Sequence, residues 1–253
     1  MERRFTTYHL IILLIFAFIV LVAVISTTQF TLKKEHEPPT ALSEHLPRYR
    51  LIDMDNIHAK TDISKEEAEI LKKVLEGAKG QLELRSKNIF IEGSDQSNYY
   101  QGGDPPIEWA ISTDIIARAY MEAGIDLRVL INEDIKENYD EYPLRAIWGQ
   151  SYPDIDIDYR RIQNMEVFFK RNAKSLTPRF DPADTSNLNS WVPGDVVFFD
   201  MDRDGYSDTA AIISDNTTRN GSPKVIYNHI EPGYTVEEDI LSSTLVNGHY
   251  RYP

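Results

Sequence analysis

Residues 191–215 read WVPGDVVFFDMDRDGYSDTAAIISD, and the period of this stretch decides the fold class. Residues 191–195 form a Pro-Gly turn. Residues 196–199 and 209–213 are short β-branched or aromatic runs, and residues 225–230 are a third, so strands separated by turns are expected here. Upstream the period is helical. Ser64-Lys65-Glu66-Glu67 is a capping box, in which the Ser64 side chain and Glu67 each satisfy an orphan amide. Ala68, Leu71, Val74, Leu75 and Ala78 follow at helical spacing. Residues 113–123 place Ile115, Ile116, Ala119 and Tyr120 on one apolar face, and Gly124 suits the stop. Residues 127–139 and 164–173 predict two further helices. Helices first and antiparallel strands later predict an α+β domain.

Composition narrows the function classes. The chain has 253 residues, 42% hydrophobic content and no cysteine. It is long enough to bury a core, and its chemistry excludes disulfides, thiolate metal sites and a cysteine nucleophile. A net charge of -13 repels phosphate backbones, so no nucleic-acid partner is expected.

The first thirty residues depart from that average. Residues 10–25 are uncharged and almost wholly apolar, and residues 8–28 approach the roughly 20 residues that a spanning helix needs. Residues 1–30 are therefore expected to form a membrane anchor, embedded through residues 10–28, with a cleaved signal peptide as the rival. Residues 31–62, carrying Pro38, Pro39 and Pro47, read as a polar stalk, and residues 63–253 as the folded domain. The expected location is the cell membrane, single-pass, with the C-terminal domain exported.

Within the opening stretch, Asp200 to Asp208 reads D-x-D-x-D-G-x-x-D. Alternate oxygen ligands and a Gly at the sharp turn match a calcium loop, although position twelve is Ala211 where an EF-hand has Glu. Calcium is the expected cofactor, through the Asp200, Asp202, Asp204 and Asp208 side chains and the Tyr206 carbonyl. The competing reading is a solvated polar turn. Asp154, Asp156 and Asp158 also alternate, but Arg160 and Arg161 can neutralise them locally.

Seven segments in order, YYQGGDPP, ISTDIIARAYMEAGIDLRVLINEDI, YPDIDIDYRRIQNMEVFF, WVPGDVVFFD, AAIISD, VIYN and GHYRY, resemble the bacterial domain-of-unknown-function family numbered twelve eighty-seven. That family resembles the NlpC-type cell-wall cysteine peptidases. The resemblance implies a papain-like fold, with helices packed on a small antiparallel sheet. It also implies a nucleophile at a helix start, a base on one strand and a third polar group on the next. Its nucleophile position falls on Ser112, its base position on Thr209 and its third position on Tyr227.

Each departs from the family's pattern. Thr209 cannot accept a proton near neutral pH, and Tyr227 is ordinarily protonated there. His229 lies two residues beyond Tyr227, and strand alternation would put both on one face, offering a rescue for Ser112. His249 reads as a packing or terminal-strand residue. With the expected anchor, the resemblance implies a membrane-anchored, catalytically inactive domain that binds a peptide, a peptidoglycan fragment or an envelope protein. One alternative is an active serine-type hydrolase using Ser112 and His229. Another is a calcium-stabilised structural envelope domain.

Overall fold

The structure, a computed structural model, describes residues 51–59, 61–91 and 99–253. The expected anchor at residues 1–30 lies outside the described residues, and no helix among those described is long and apolar enough to cross a membrane.

The capping box at Ser64 forms as its chemistry requires. Glu67 N–H donates to Ser64 Oγ at 3.1 Å, and Ser64 N–H donates to Glu67 Oε2 at 2.8 Å. Helix α1 (Lys65–Leu84) follows and buries Ala68, Leu71, Val74, Leu75 and Ala78, the stripe its spacing predicts. Arg85 ends it in the left-handed region. Helix α2 (Ser112–Glu122) packs closely on α1. Gly77 makes that approach possible, since a Cβ there would lie 2.7 Å from the Ala119 carbonyl. Helices α3 (Leu127–Glu137), α4 (Leu144–Trp148), α5 (Ile162–Asn172) and α6 (Thr185–Leu188) complete the helical set among the described residues.

Strands β1 (Lys87–Asn88) and β2 (Trp109–Ala110) form a short parallel pair that leads directly into α2. The main sheet contains β3 (Lys174–Ser175), β4 (Val196–Asp200), β5 (Thr209–Thr217), β6 (Pro223–Asn228), β7 (Thr235–Glu238) and β8 (Leu245–Arg251). Its order is β3-β8-β4-β5-β6-β7, with every neighbouring pair antiparallel. The α+β class with an antiparallel sheet is thus what the chain adopts.

Strand alternation divides the sheet into two faces. Val196, Phe198, Ala210, Ile212 and Ile226 pack with Ile115, Ile116, Ala119, Tyr120 and Phe169 of the helices. Val197, Phe199, Ala211, Ile213, Val225 and Tyr227 pack on the other side with Trp191 and Leu241. Both faces are covered, which is why β4 is apolar at four consecutive positions.

A buried polar knot ties the Pro-Gly turn to β8. Asp195 accepts Arg251 Nε at 2.7 Å and Arg251 Nη2 at 2.7 Å. His249 Nε2 lies 3.1 Å from Asp195 Oδ2, and its Nδ1 lies 3.0 Å from the Thr177 carbonyl. The His249 ring stacks on Trp191 with centroids 4.2 Å apart. His249 is therefore a packed residue of the terminal strand.

One boundary differs from expectation. Residues 51–59 do not stand off as a stalk; Met54 and Ile57 are buried with Ile63, Leu71, Leu75 and Val192. Ile52 N–H donates to the Asp215 carbonyl at 2.8 Å. Their apolar side chains gain more by covering the outer side of α1 than by facing water.

Candidate functional site

The start of α2 lies at one wall of a cavity of about 380 Å³. Ile111, Ser112 and Thr113 form that wall; Asn88, Phe90, Trp148, Arg160, Arg161, Ile162, Gln163, Asp208, Asn228, His229 and Ile230 form the rest. The helix end is held from behind. Asp114 accepts Ile111 N–H at 2.9 Å, so a carboxylate three residues in satisfies one orphan amide. The same carboxylate receives Arg160 Nε at 2.7 Å and Arg160 Nη2 at 3.0 Å, with both side chains fully buried. Burial pushes the Asp114 carboxyl up from its ordinary range, and the Arg160 guanidinium opposes that rise. Thr113 Oγ1 donates to the Arg160 carbonyl at 3.0 Å, a further tie between α2 and the 158–161 segment.

The acidic run 154–158 is neutralised locally through Arg161 but not through Arg160. Arg161 pairs with Asp158 at 3.1 Å and lies 4.3 Å over the Trp148 ring. Arg160 instead turns inward to Asp114. Asp154 accepts the Tyr99 hydroxyl at 3.2 Å.

Ser112 and His229 line the same cavity, whereas Thr209 and Tyr227 do not. Thr209 is fully buried opposite Phe199 and shares a strand face with Ala211, which packs on the side away from the helices. Its Oγ1 has no hydrogen-bond partner among the described residues. Tyr227 packs on that far side and donates to Glu238 Oε2 at 2.6 Å. Burial and the Glu238 carboxylate push its phenol well above the ordinary value.

His229 does not share the Tyr227 face as alternation predicts, because β6 ends at Asn228 and His229 begins the following turn. Glu231 N–H donates to His229 Nδ1 at 3.4 Å, a long bond.

Sequence reasoning passed over two residues that complete the cavity. Asn88 Nδ2 donates to Asn228 Oδ1 at 2.9 Å, and Asn228 Nδ2 donates to the Ser86 carbonyl at 2.9 Å. Asn88 Oδ1 accepts Phe90 N–H at 2.9 Å. The pair joins β1 to β6 on the wall of the cavity that Ser112 also lines. Its one legible signal was Asn228 closing the VIYN run.

The acidic hairpin lies beside the cavity through Asp208. Asp200 Oδ1 accepts Arg203 N–H at 2.6 Å, and its Oδ2 accepts Gly205 N–H at 2.9 Å. Asp208 Oδ2 accepts Met201 N–H at 2.6 Å. Asp204 Oδ1 accepts Tyr206 N–H at 2.8 Å. Asp200, Asp202 and Asp208 each present an oxygen within 4.8 Å of the others, while Asp204 stands outside that trio. Tyr206 is 63% exposed at the hairpin tip.

The family described as "Domain of unknown function (DUF1287)" matches residues 79–252 of this chain. The chain is also 31% identical over 225 residues to a protein of Escherichia coli (strain K12) named "Uncharacterized protein YijF", a match that covers 89% of this chain and 92% of that protein. No solved structure matches.

Proposed function

This chain belongs to the DUF1287 family, and we propose that it is a non-hydrolytic, papain-like cleft held at the exported face of a membrane by residues 10–28. The observation that carries the reading is the setting of Ser112. It stands at a helix start on a cavity wall, the position to which the family resemblance assigns a nucleophile, yet among the described residues no carboxylate or imidazole is hydrogen-bonded to its hydroxyl. Activation of a serine needs such a base within about 2.6–3.2 Å. His229 is the one imidazole on the cavity wall among the described residues. Among the described residues no hydrogen bond joins it to Ser112, which favours the non-hydrolytic reading over the active serine-hydrolase alternative. The cleft binds a peptide, a peptidoglycan fragment or an envelope protein without cutting it.

The test compares full-length protein with Ser112→Ala on peptidoglycan-derived peptides, following both binding and cleavage. Binding without cleavage by either protein is the expected result. Cleavage that disappears in Ser112→Ala would overturn the reading and favour the serine hydrolase.

We also propose that calcium occupies the 200–208 hairpin, supported by the oxygen trio of Asp200, Asp202 and Asp208. Extracellular modules bind calcium with Kd of about 10⁻⁴–10⁻³ M. At about 10 mM calcium that corresponds to about 1.5–3 kcal/mol of added stability. The melting temperature should rise by roughly 3–10 °C for a domain of this size. Asp200→Asn should abolish the rise. Identical melting curves with calcium and with chelator would refute the site.

A further inference from the structure

We propose that the N-terminus of α2 is a carboxylate-binding subsite. The inference rests on reading the cavity as a non-hydrolytic cleft and narrows its ligand to one with a free carboxylate.

A helix begins with amides that have no intrahelical acceptor, and they draw anions to that end. In α2 two of them are already used, because Ile111 N–H donates to the Asp114 carboxylate and Asp114 N–H donates to the Ile111 carbonyl. The Ser112 and Thr113 amides have no acceptor among the described residues, and both residues line the cavity.

Ser112 supplies a second and independent observation. It is only 5% exposed, it lines the cavity, and its hydroxyl has no hydrogen-bond partner among the described residues. Its oxygen is not sealed inside the protein as the unpartnered Thr209 and Ser222 hydroxyls are, so it is open to the cavity as a donor. The neighbouring Thr113 hydroxyl has such a partner in the Arg160 carbonyl. Two amides of one helix end and one hydroxyl thus belong to the same cavity wall, all able to donate to an oxygen.

Charge selects a carboxylate over a neutral carbonyl. The helix end carries partial positive charge, and Arg161, paired on one side with Asp158, lines the same cavity. The Asp114 carboxylate at this end is neutralised by Arg160. Asp208 is the only carboxylate among the described lining residues, and its Oδ2 is turned onto the Met201 and Asp202 amides of its own loop.

A carboxylate of this kind could end a peptide or belong to a sugar acid, and the experiment separates the two. Full-length protein is titrated calorimetrically with N-acetyl-alanyl-alanine, with the same peptide amidated at its C-terminus, and with glucuronate. The free-acid peptide is expected to bind about tenfold more tightly than the amide, the difference one charge-assisted contact supplies. Ser112→Ala should weaken the acid several-fold and leave the amide unchanged. Ser112→Asp, which places a carboxylate in the subsite, should abolish acid binding while its melting curve stays cooperative.

Equal binding of acid and amide would overturn the carboxylate subsite and leave the cleft standing. Binding of glucuronate alone would support the subsite and overturn the peptide as its source. Cleavage of the peptide by the wild type would instead overturn the non-hydrolytic reading. No heat with any of the three would overturn the subsite.

Discussion

Replacing Arg160 by alanine is expected to destabilise the protein by about 3–5 kcal/mol, since it strands a buried carboxylate without its partner. Asp114 is fully buried, and the two Arg160 hydrogen bonds at 2.7 and 3.0 Å are its only cationic support at contact distance among the described residues. A loss of that size is a large share of the roughly 5–15 kcal/mol by which domains are stable. Chemical denaturation monitored by circular dichroism would measure it.

The deficit should also carry a pH signature. Burial already pushes the Asp114 carboxyl up, and removing Arg160 lets it rise further. A carboxyl whose folded-state pKa exceeds its unfolded value binds protons more tightly when folded. The folded variant therefore loses relative stability as pH rises through that window, and the gap to wild type should narrow as pH falls from about 7 to about 5. Adding Asp114→Leu removes the stranded charge and should recover part of the loss. Recovery stays incomplete because Asp114 also holds Ile111 N–H at the helix start. A pH-independent deficit below about 1 kcal/mol would show the pair to be worth no more than a surface ion pair.

Asp195→Ala is expected to have an effect of similar size, about 3–5 kcal/mol, by leaving Arg251 and His249 buried without their common acceptor. Asp195 is fully buried and joins the turn at residues 191–195 to β8 through both Arg251 bonds and through His249. It also accepts Val192 N–H at 3.2 Å, which fixes the turn itself. The turn is tightly constrained elsewhere: Gly194 has φ +93°, and a Cβ there would lie 2.6 Å from the Leu71 carbonyl. Trp191 stacks on His249, so its fluorescence reports this knot directly. Arg251→Met in the Asp195→Ala background should restore part of the stability by removing the unpaired guanidinium. A variant with unchanged stability and unchanged Trp191 emission would contradict the account.

The helical stripes were legible because they depend on short-range geometry. Ala68, Leu71, Val74, Leu75 and Ala78 recur at helical spacing and are all buried. The capping box forms from side chains three residues apart. Strands β4 and β5 were legible from their β-branched and aromatic content, but β7 was not, since Thr-Val-Glu-Glu alternates too briefly to stand out. The packing of residues 51–59 was hidden by the prolines upstream, which suggested an extended stalk.

The site divides along the same line. Ser112 was placed by its motif and stands at the cavity, but its neighbours belong to distant parts of the chain. Asn88 and Asn228 are 140 residues apart, and Arg160 and Asp114 are 46 apart. By itself the sequence determined the α+β class, the helix bearing Ser112 and the absence of a thiol, because local period and residue chemistry are sufficient for each. Only the tertiary structure decided that Asn228 and His229 line the cavity while Thr209 and Tyr227 turn away. Alternation sets the parity of side chains along a strand. Which parity meets the helices, and where the strand ends, depend on how the sheet packs.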